Sequence, residues 1–223
     1  MIDKLVGTGL ARQASPIRQA MANAPAHWPW VRLKYLVQIN AEVLSESTSA
    51  DYAFRYIDIG SVTLGRVNSS TSMTFSEAPS RARRVVHEGD IIVSTVRTYL
   101  KAIARIDEDD TNLVCSTGFA VIRAGRRIDR DFLYLWLISR SFVEEIVARS
   151  TGVGYPAVTA TEIGDIACPL PPLDEQRAVV ERSRSELARV QIAREALARE
   201  AALLDERADA LVTSSFAASE TVA

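Results

Sequence analysis

The run Cys168-Pro169-Leu170-Pro171-Pro172-Leu173-Asp174-Glu175-Gln176-Arg177 divides this 223-residue chain. A proline ring neither continues a helix nor donates to a sheet ladder, so these prolines close whatever globular unit precedes them. Asp174 then suits the N-cap of a new helix, and Glu175 suits its first turn, where a carboxylate meets the positive end of the helix dipole. From Glu175 to Val212 there is neither proline nor glycine, and Ala, Glu, Arg and Leu dominate. Val190, Leu197, Leu204 and Leu211 recur at sevens, with Leu187, Ala201 and Ala208 interleaved and Arg194 as a polar intruder. These are the d and a positions of a coiled coil. A seam of this length is stable only when covered, which predicts self-association through Leu187, Val190, Leu197, Leu204 and Leu211. Ile192 and Leu203 fall nearly opposite the seam and mark a second, partner-docking stripe. Incidental placement in an alanine-rich helix explains that stripe equally well.

The segment before the prolines reads as one α+β body. Near-average apolar content, 48%, is enough for a real core at this length. Residues 1–27 read as a loosely held arm, in which Ser15-Pro16 starts a short helix through Ala24. The body is expected over 28–172, the long helix over 173–213 and a flexible tail over 214–223. Residues 54–60 alternate large apolar and polar side chains, a half-buried strand ended by Gly60, with 62–67 as its hairpin partner. Residues 68–72 read as a polar loop. The β-branched run Ile91-Ile92-Val93-Ser94-Thr95-Val96 is the clearest strand, and 102–106 its return. An acidic turn at 107–110 leads to another strand over 114–122. Residues 131–149 switch to helical spacing, with Phe132, Trp136, Phe142, Val143, Ile146 and Val147 on one face. A glycine-broken loop at 150–156, a helical turn at 159–163 and an edge strand at 166–170 complete the body. Strands first and helices later, without β-α alternation, give the α+β class.

The chemistry that is missing narrows the function. Amino-group methylation needs a glycine-rich turn for the methyl donor and an Asn/Asp-Pro-Pro-aromatic motif for the target amine. The one Pro-Pro pair here, Pro171-Pro172, lies between two leucines. No phosphate-cradling Gly-rich Lys loop occurs, and neither His27 nor His87 has a plausible nucleophile partner. Cys115 and Cys168 are far apart and only two histidines exist, so no metal site is expected and the thiols read as reduced. No apolar run reaches membrane-spanning length and no signal-peptide core opens the chain, so the expectation is a cytoplasmic, non-catalytic protein without a cofactor.

Three loops carry side chains suited to DNA: Arg66, Asn68, Ser70 and Thr71; Arg97, Thr98, Tyr99 and Lys101; and Thr151 with Tyr155. Arg and Lys suit phosphates or guanine edges, while Asn, Ser and Thr donate or accept at bases and backbone. The net charge of −2 lacks the basic excess that often accompanies nucleic-acid binding. On the residues alone, ordinary solvated loops are the better reading.

A resemblance changes that weighting. Trp30-Val31-Arg32-Leu33, Tyr56-Ile57-Asp58-Ile59, Gly89-Asp90-Ile91-Ile92-Val93-Ser94, the 152–156 loop and the 170–176 junction occur in the order seen in specificity subunits of type I restriction-modification systems, and the chain resembles that family over nearly its whole length. The resemblance implies a target-recognition domain whose loops contact double-stranded DNA. It also implies a helix that spaces the domain and docks methyltransferase and restriction/translocase subunits. Family members usually carry two such domains and two such helices; this chain has length for one of each, which implies a half-length form acting as a homodimer on a bipartite target. The family varies most within its recognition domain, so no base-reading residue carries over by position. The rival reading, from a different class, is a coiled-coil adaptor whose body binds protein rather than DNA.

Overall fold

Amphipathic strands must cover one face each, and here they do so against one another. The computed structural model describes residues 15–107, 112–152 and 154–219, with side chains as far as Leu211. The elements begin with α1 (Pro16–Asn23), β1 (Trp30–Arg32), β2 (Val37–Ile39), β3 (Ala53–Ile57), β4 (Val62–Thr63) and β5 (Arg66–Val67). Next come β6 (Thr71–Thr74), β7 (Ala82–Val86), β8 (Ile91–Ser94), β9 (Ile103–Arg105), β10 (Leu113–Ser116) and β11 (Phe119–Ala124). Then follow α2 (Arg130–Ile138), α3 (Arg140–Arg149), α4 (Ala160–Gly164), β12 (Ala167–Pro169) and α5 (Leu173–Ser219). The order confirms the α+β class.

Two four-stranded sheets, β2-β11-β8-β9 and β6-β3-β10-β7, make the frame. Ile57, Val86, Ile92, Leu113, Cys115, Phe119 and Val121 form one buried cluster contributed by both sheets. Successive side chains on a strand point to opposite faces, so Phe54, Tyr56 and Val114 fall into a second cluster with Met73 and Phe75. β8 is buried along its whole length, as its unbroken apolar run requires. β1 and β12 pair antiparallel, Val31 opposite Cys168, which ties the first ordered strand to the last.

Several expectations need correction. The 114–122 run is two strands in different sheets, β10 and β11, separated at Thr117-Gly118. A Cβ at Gly118 would stand 2.5 Å from Ile59 Cδ1, so a larger residue at the corner between sheets would require the Ile59 side chain to move. The 131–149 helix is broken at Ser139, whose extended backbone (φ −62°, ψ 149°) ends α2 and whose hydroxyl accepts from Phe142 N to cap α3. Phe132, Trp136, Phe142, Val143 and Ile146 are buried as expected, whereas Val147 is exposed. β4 and β5 pair with each other rather than with β3. The antiparallel partner of β3 is β6, inside and beyond the stretch read as a polar loop, because an edge strand can remain polar. β2 and β7 were not expected. The short N-terminal helix forms with Pro at its start, but it is not loosely held: Ile17 is buried, and Ser15 Oγ donates to Glu145 Oε2 at 2.5 Å on α3. The acidic turn from residue 108 to 110, and residues 1–14 of the arm, lie outside the described residues.

The chain divides into two compact units, Met1–Arg177 and Ala178–Ala223. The first unit is the body with the opening turn of α5. The helix starts at Leu173, so Asp174 sits in the first turn rather than at the cap, and it continues to Ser219, beyond the expected end at 213. Its 47 residues span about 70 Å at 1.5 Å per residue. Arg184–Glu181 and Arg189–Glu186 pairs run along its surface.

Candidate nucleic-acid interface

β8 ends at Ser94, and the chain then turns through a 3-10 turn at Thr98–Leu100. Arg97 (φ 50°, ψ 46°) and Lys101 (φ 53°, ψ 35°) flank that turn in the left-handed region. This conformation costs a non-glycine residue about 1 kcal/mol or more and persists only where the surroundings enforce it. The enforcement is visible. Thr95 N donates to Gly118 O at 2.8 Å. Thr98 is buried, and its hydroxyl lies 2.8 Å from Ser150 Oγ, which donates to Ile146 O at 2.8 Å. With that proton committed to Ile146, Thr98 is the donor to Ser150.

The segment after α3 is clamped against the same turn. Thr151 and Ala157 exchange backbone hydrogen bonds of 3.0 and 2.9 Å, Ala157 bridges to Val96, and Val158 N donates to Thr95 O at 2.8 Å. Gly152 (φ 118°) and Gly154 (φ 84°) supply the positive dihedrals that close the loop. Its tip presents Tyr155, 69% exposed, and the Arg97 guanidinium lies 5.2 Å from the centre of that ring.

Of the ten loop candidates, the structure therefore brings together Arg97, Thr98, Thr151 and Tyr155. Tyr99 stands exposed on the turn between them and Lys101. Lys101 lines a groove with Ser15 and Gln19 at α1 and Val143 and Ala148 on α3. The first loop gathers elsewhere. Ser70 Oγ accepts from Arg55 Nε and Nη2 at 3.0 and 2.6 Å, and Asn68 Nδ2 donates to Thr63 Oγ1 at 3.3 Å. Thr71 opens β6 opposite Tyr56. Arg66 and Ser70 line a cleft with Arg105 and Asp107. There Arg105 is held by Asp107 at 2.5 Å and Asp131 at 2.6 Å.

One charge cluster of the body lies at Arg123. Arg123 donates twice to the buried Asp90, both at 2.8 Å, and once to Glu42 at 2.6 Å. The bond to Asp90 pushes the Arg123 guanidinium above its ordinary range, and the bond from Arg123 holds the Glu42 carboxyl below the usual carboxylate range. Burial pushes the thiols of Cys115 and Cys168 well above their ordinary range.

The junction holds residues whose role sequence reading missed. Gln176 is fully buried; its Oε1 accepts from Asp129 N at 2.7 Å, and its Nε2 donates to Pro171 O at 2.8 Å and Arg127 O at 3.3 Å. Glu175 lies 2.9 Å from His27 Nε2 and accepts from Trp28 Nε1 at 2.8 Å, contacts that hold its carboxyl below the usual range. The signal was a polar residue just past a proline run, where an orphan backbone group needs a partner. On α5, the seam residues Leu187, Val190, Leu197, Leu204 and Leu211 are exposed, as are Ile192 and Leu203.

A sheet-built α+β body that presents clamped loops is followed by a long helix with an exposed apolar seam. Residues 25–183 match the family model described as type I restriction modification DNA specificity domain, and the chain belongs to that family. The specificity subunit of type I restriction enzyme MjaVIII from Methanocaldococcus jannaschii is 25% identical over 192 residues, covering 83% of this chain and 45% of that protein. The EcoDI specificity subunit of Escherichia coli is 22% identical over 165 residues, 73% of this chain and 35% of that protein. The crystal structure of the HsdS subunit from Thermoanaerobacter tengcongensis matches with a TM-score of 0.68 at 35% identity, over 77% of this chain and 45% of that one. The chain thus spans less than half the length of these relatives.

Proposed function

We propose that this chain is the DNA-sequence-recognition subunit of a type I restriction-modification complex, working as a half-length specificity protein. It carries out no catalysis and holds no cofactor; it directs methyltransferase and restriction/translocase subunits, which handle the methyl donor and ATP, to a bipartite target. The observation that carries this reading is the family match over nearly the whole body, from residue 25 into the first turns of α5. Two loops clamped side by side at Arg97 and Tyr155 support a DNA contact.

The open seam from Leu187 to Leu211 supports a homodimer, because an exposed apolar stripe on a helix of about 70 Å needs a cover of similar length. An antiparallel pair would set two identical bodies at opposite ends. A two-fold axis then makes the half-sites inverted copies, with centres about one helical turn, roughly 10 bp, apart and an unread gap between. Ile192 and Leu203 would face the methyltransferase. The test is light scattering with duplex selection. The wild-type chain should be a dimer that enriches a gapped palindrome, and Leu197→Asp with Leu204→Asp should be monomeric. A wild-type monomer at high micromolar concentration, or an asymmetric enriched motif, would overturn the homodimer. A body that captures no duplex, alone or with its methyltransferase, would favour the protein-binding adaptor.

A further inference from the structure

We propose that Arg97 reads a guanine in the major groove, and that Tyr155 is the positioning residue that holds the Arg97 guanidinium for that contact. The proposal rests on the DNA-recognition reading above and assigns the chemistry of one base.

Arginine recognises guanine by offering two in-plane N–H groups to N7 and O6. This demands a guanidinium with its donor edge free and its direction fixed. Arg32, Arg105, Arg123, Arg140 and Arg149 fail the first condition, each donating to a carboxylate, and Arg83, against the Phe75 ring, gives one N–H to the Ala82 carbonyl oxygen. Arg97 is exposed and forms no ion pair among the described residues; its neighbour is the Tyr155 ring. A ring against the guanidinium face attracts the cation while the N–H groups, which lie in the guanidinium plane, remain available.

The second condition is met by the frame. A free arginine loses about 2 kcal/mol of rotamer freedom when fixed, a cost that stacking reduces before any DNA arrives. The Arg97 backbone is itself fixed in a left-handed conformation that glycine or asparagine would adopt at less cost. An arginine kept there, at the mouth of a turn tied by Thr98 to Ser150, points to a requirement for its side chain. Tyr155 is equally constrained, because the ends of its loop are clamped by the Thr151–Ala157 pair. Lys101 shares the backbone strain but lines a groove with α1 and α3 and has no ring against it among the described residues, so it is not assigned to base reading.

The test uses the full chain, alone and reconstituted with its cognate methyltransferase chain. Wild type first selects a preferred duplex from a random library. Variants are then titrated against that duplex and against a set in which each G·C pair in turn is replaced. Arg97→Lys keeps the charge but loses the fork. It should erase the preference at one G·C position by about tenfold or more, while affinity for unrelated duplex stays near wild type. Tyr155→Phe should keep the preference, and Tyr155→Ala should lose most of it at that same position. Both sites are exposed, so melting temperatures should not move. Equal weakening of Arg97→Lys and Arg97→Ala on every duplex would mark a phosphate contact and overturn the proposal. So would an unaltered preference in Arg97→Lys, or a preference in Tyr155→Ala equal to wild type. If wild type shows no preference in either form, the recognition reading itself falls, and this assignment with it.

Discussion

Replacing Gln176 by methionine should destabilise the body by about 3 kcal/mol. The side chain is fully buried and satisfies three backbone groups: Asp129 N at 2.7 Å, Pro171 O at 2.8 Å and Arg127 O at 3.3 Å. Methionine fills a similar volume, so little cavity forms and the loss is one of hydrogen bonding. A buried polar group left without a partner costs about 1–3 kcal/mol. Asp129 N and Pro171 O incur that cost, while Arg127, on an exposed residue and at longer range, adds little. Partial relaxation and the added apolar transfer place the sum near 3 kcal/mol, a large share of a typical domain stability of about 5–15 kcal/mol. At about 2–4 °C per kcal/mol for a domain of this size, the melting temperature should fall by roughly 6–12 °C. Near-ultraviolet circular dichroism, which reports the buried aromatic cluster around Trp136, follows the transition. Gln176→Glu should be worse, since a carboxylate would face two carbonyl oxygens without a proton to give. A loss below about 1 kcal/mol in Gln176→Met, with two-state melting, would refute the account of this residue as the lock between the helix start and the body.

Gly125→Ala should also destabilise, by about 2 kcal/mol, because a Cβ there would stand 2.5 Å from the Leu36 carbonyl oxygen, a backbone atom that cannot rotate away. An unchanged urea midpoint would show that the β2 approach yields freely. Acid should weaken the fold: contacts led by Arg123 at Glu42, Lys34 at Asp165 and His27 at Glu175 each hold a carboxyl below its ordinary value. Carboxyls depressed in the folded state stabilise it above their unfolded pKa, and that contribution is lost as pH falls through the folded one. The urea midpoint should therefore drop as pH falls from about 5 toward about 3, and a midpoint that rises over that window would contradict the linkage.

The elements that sequence reading located share a physical property: their determinants are local. α5 is announced by a proline run before it and by a heptad within it, and β8 by β-branched residues buried on both faces. The misplaced elements depend on partners distant in the chain. β10 and β11 are both buried along their apolar stretches, so hydropathy runs smoothly across Thr117-Gly118 while the chain changes sheet there. Ser139 occupies a position where serine can sit inside a helix or cap the next one, and the apolar face continues across it either way. β6 carries little apolar signal, because what it contributes is backbone pairing to β3.

The candidate site was legible as a set of side chains but not as an arrangement. Arg66 and Arg97 look alike in sequence, each beside hydroxyl residues in what reads as a loop. What separates them is long-range pairing: Val158 N on Thr95 O and Ala157 beside Val96 carry Tyr155 to Arg97. Arg66 instead lies in a cleft where Arg105 and Asp107 already pair and where Ser70 is occupied by Arg55. The same distinction accounts for the net charge of −2, which argued against DNA contact when taken as a property of the whole chain. Part of the positive charge is matched internally, by Asp90, Glu42, Asp131, Glu144 and Glu145 in the body and by Glu181 and Glu186 along α5. Phosphates and base edges respond to the charge left after that pairing and to where it is aimed, since exposed charges farther than about 8–10 Å are screened at physiological salt. A near-neutral chain can therefore still present a cation fixed against an aromatic ring at one loop.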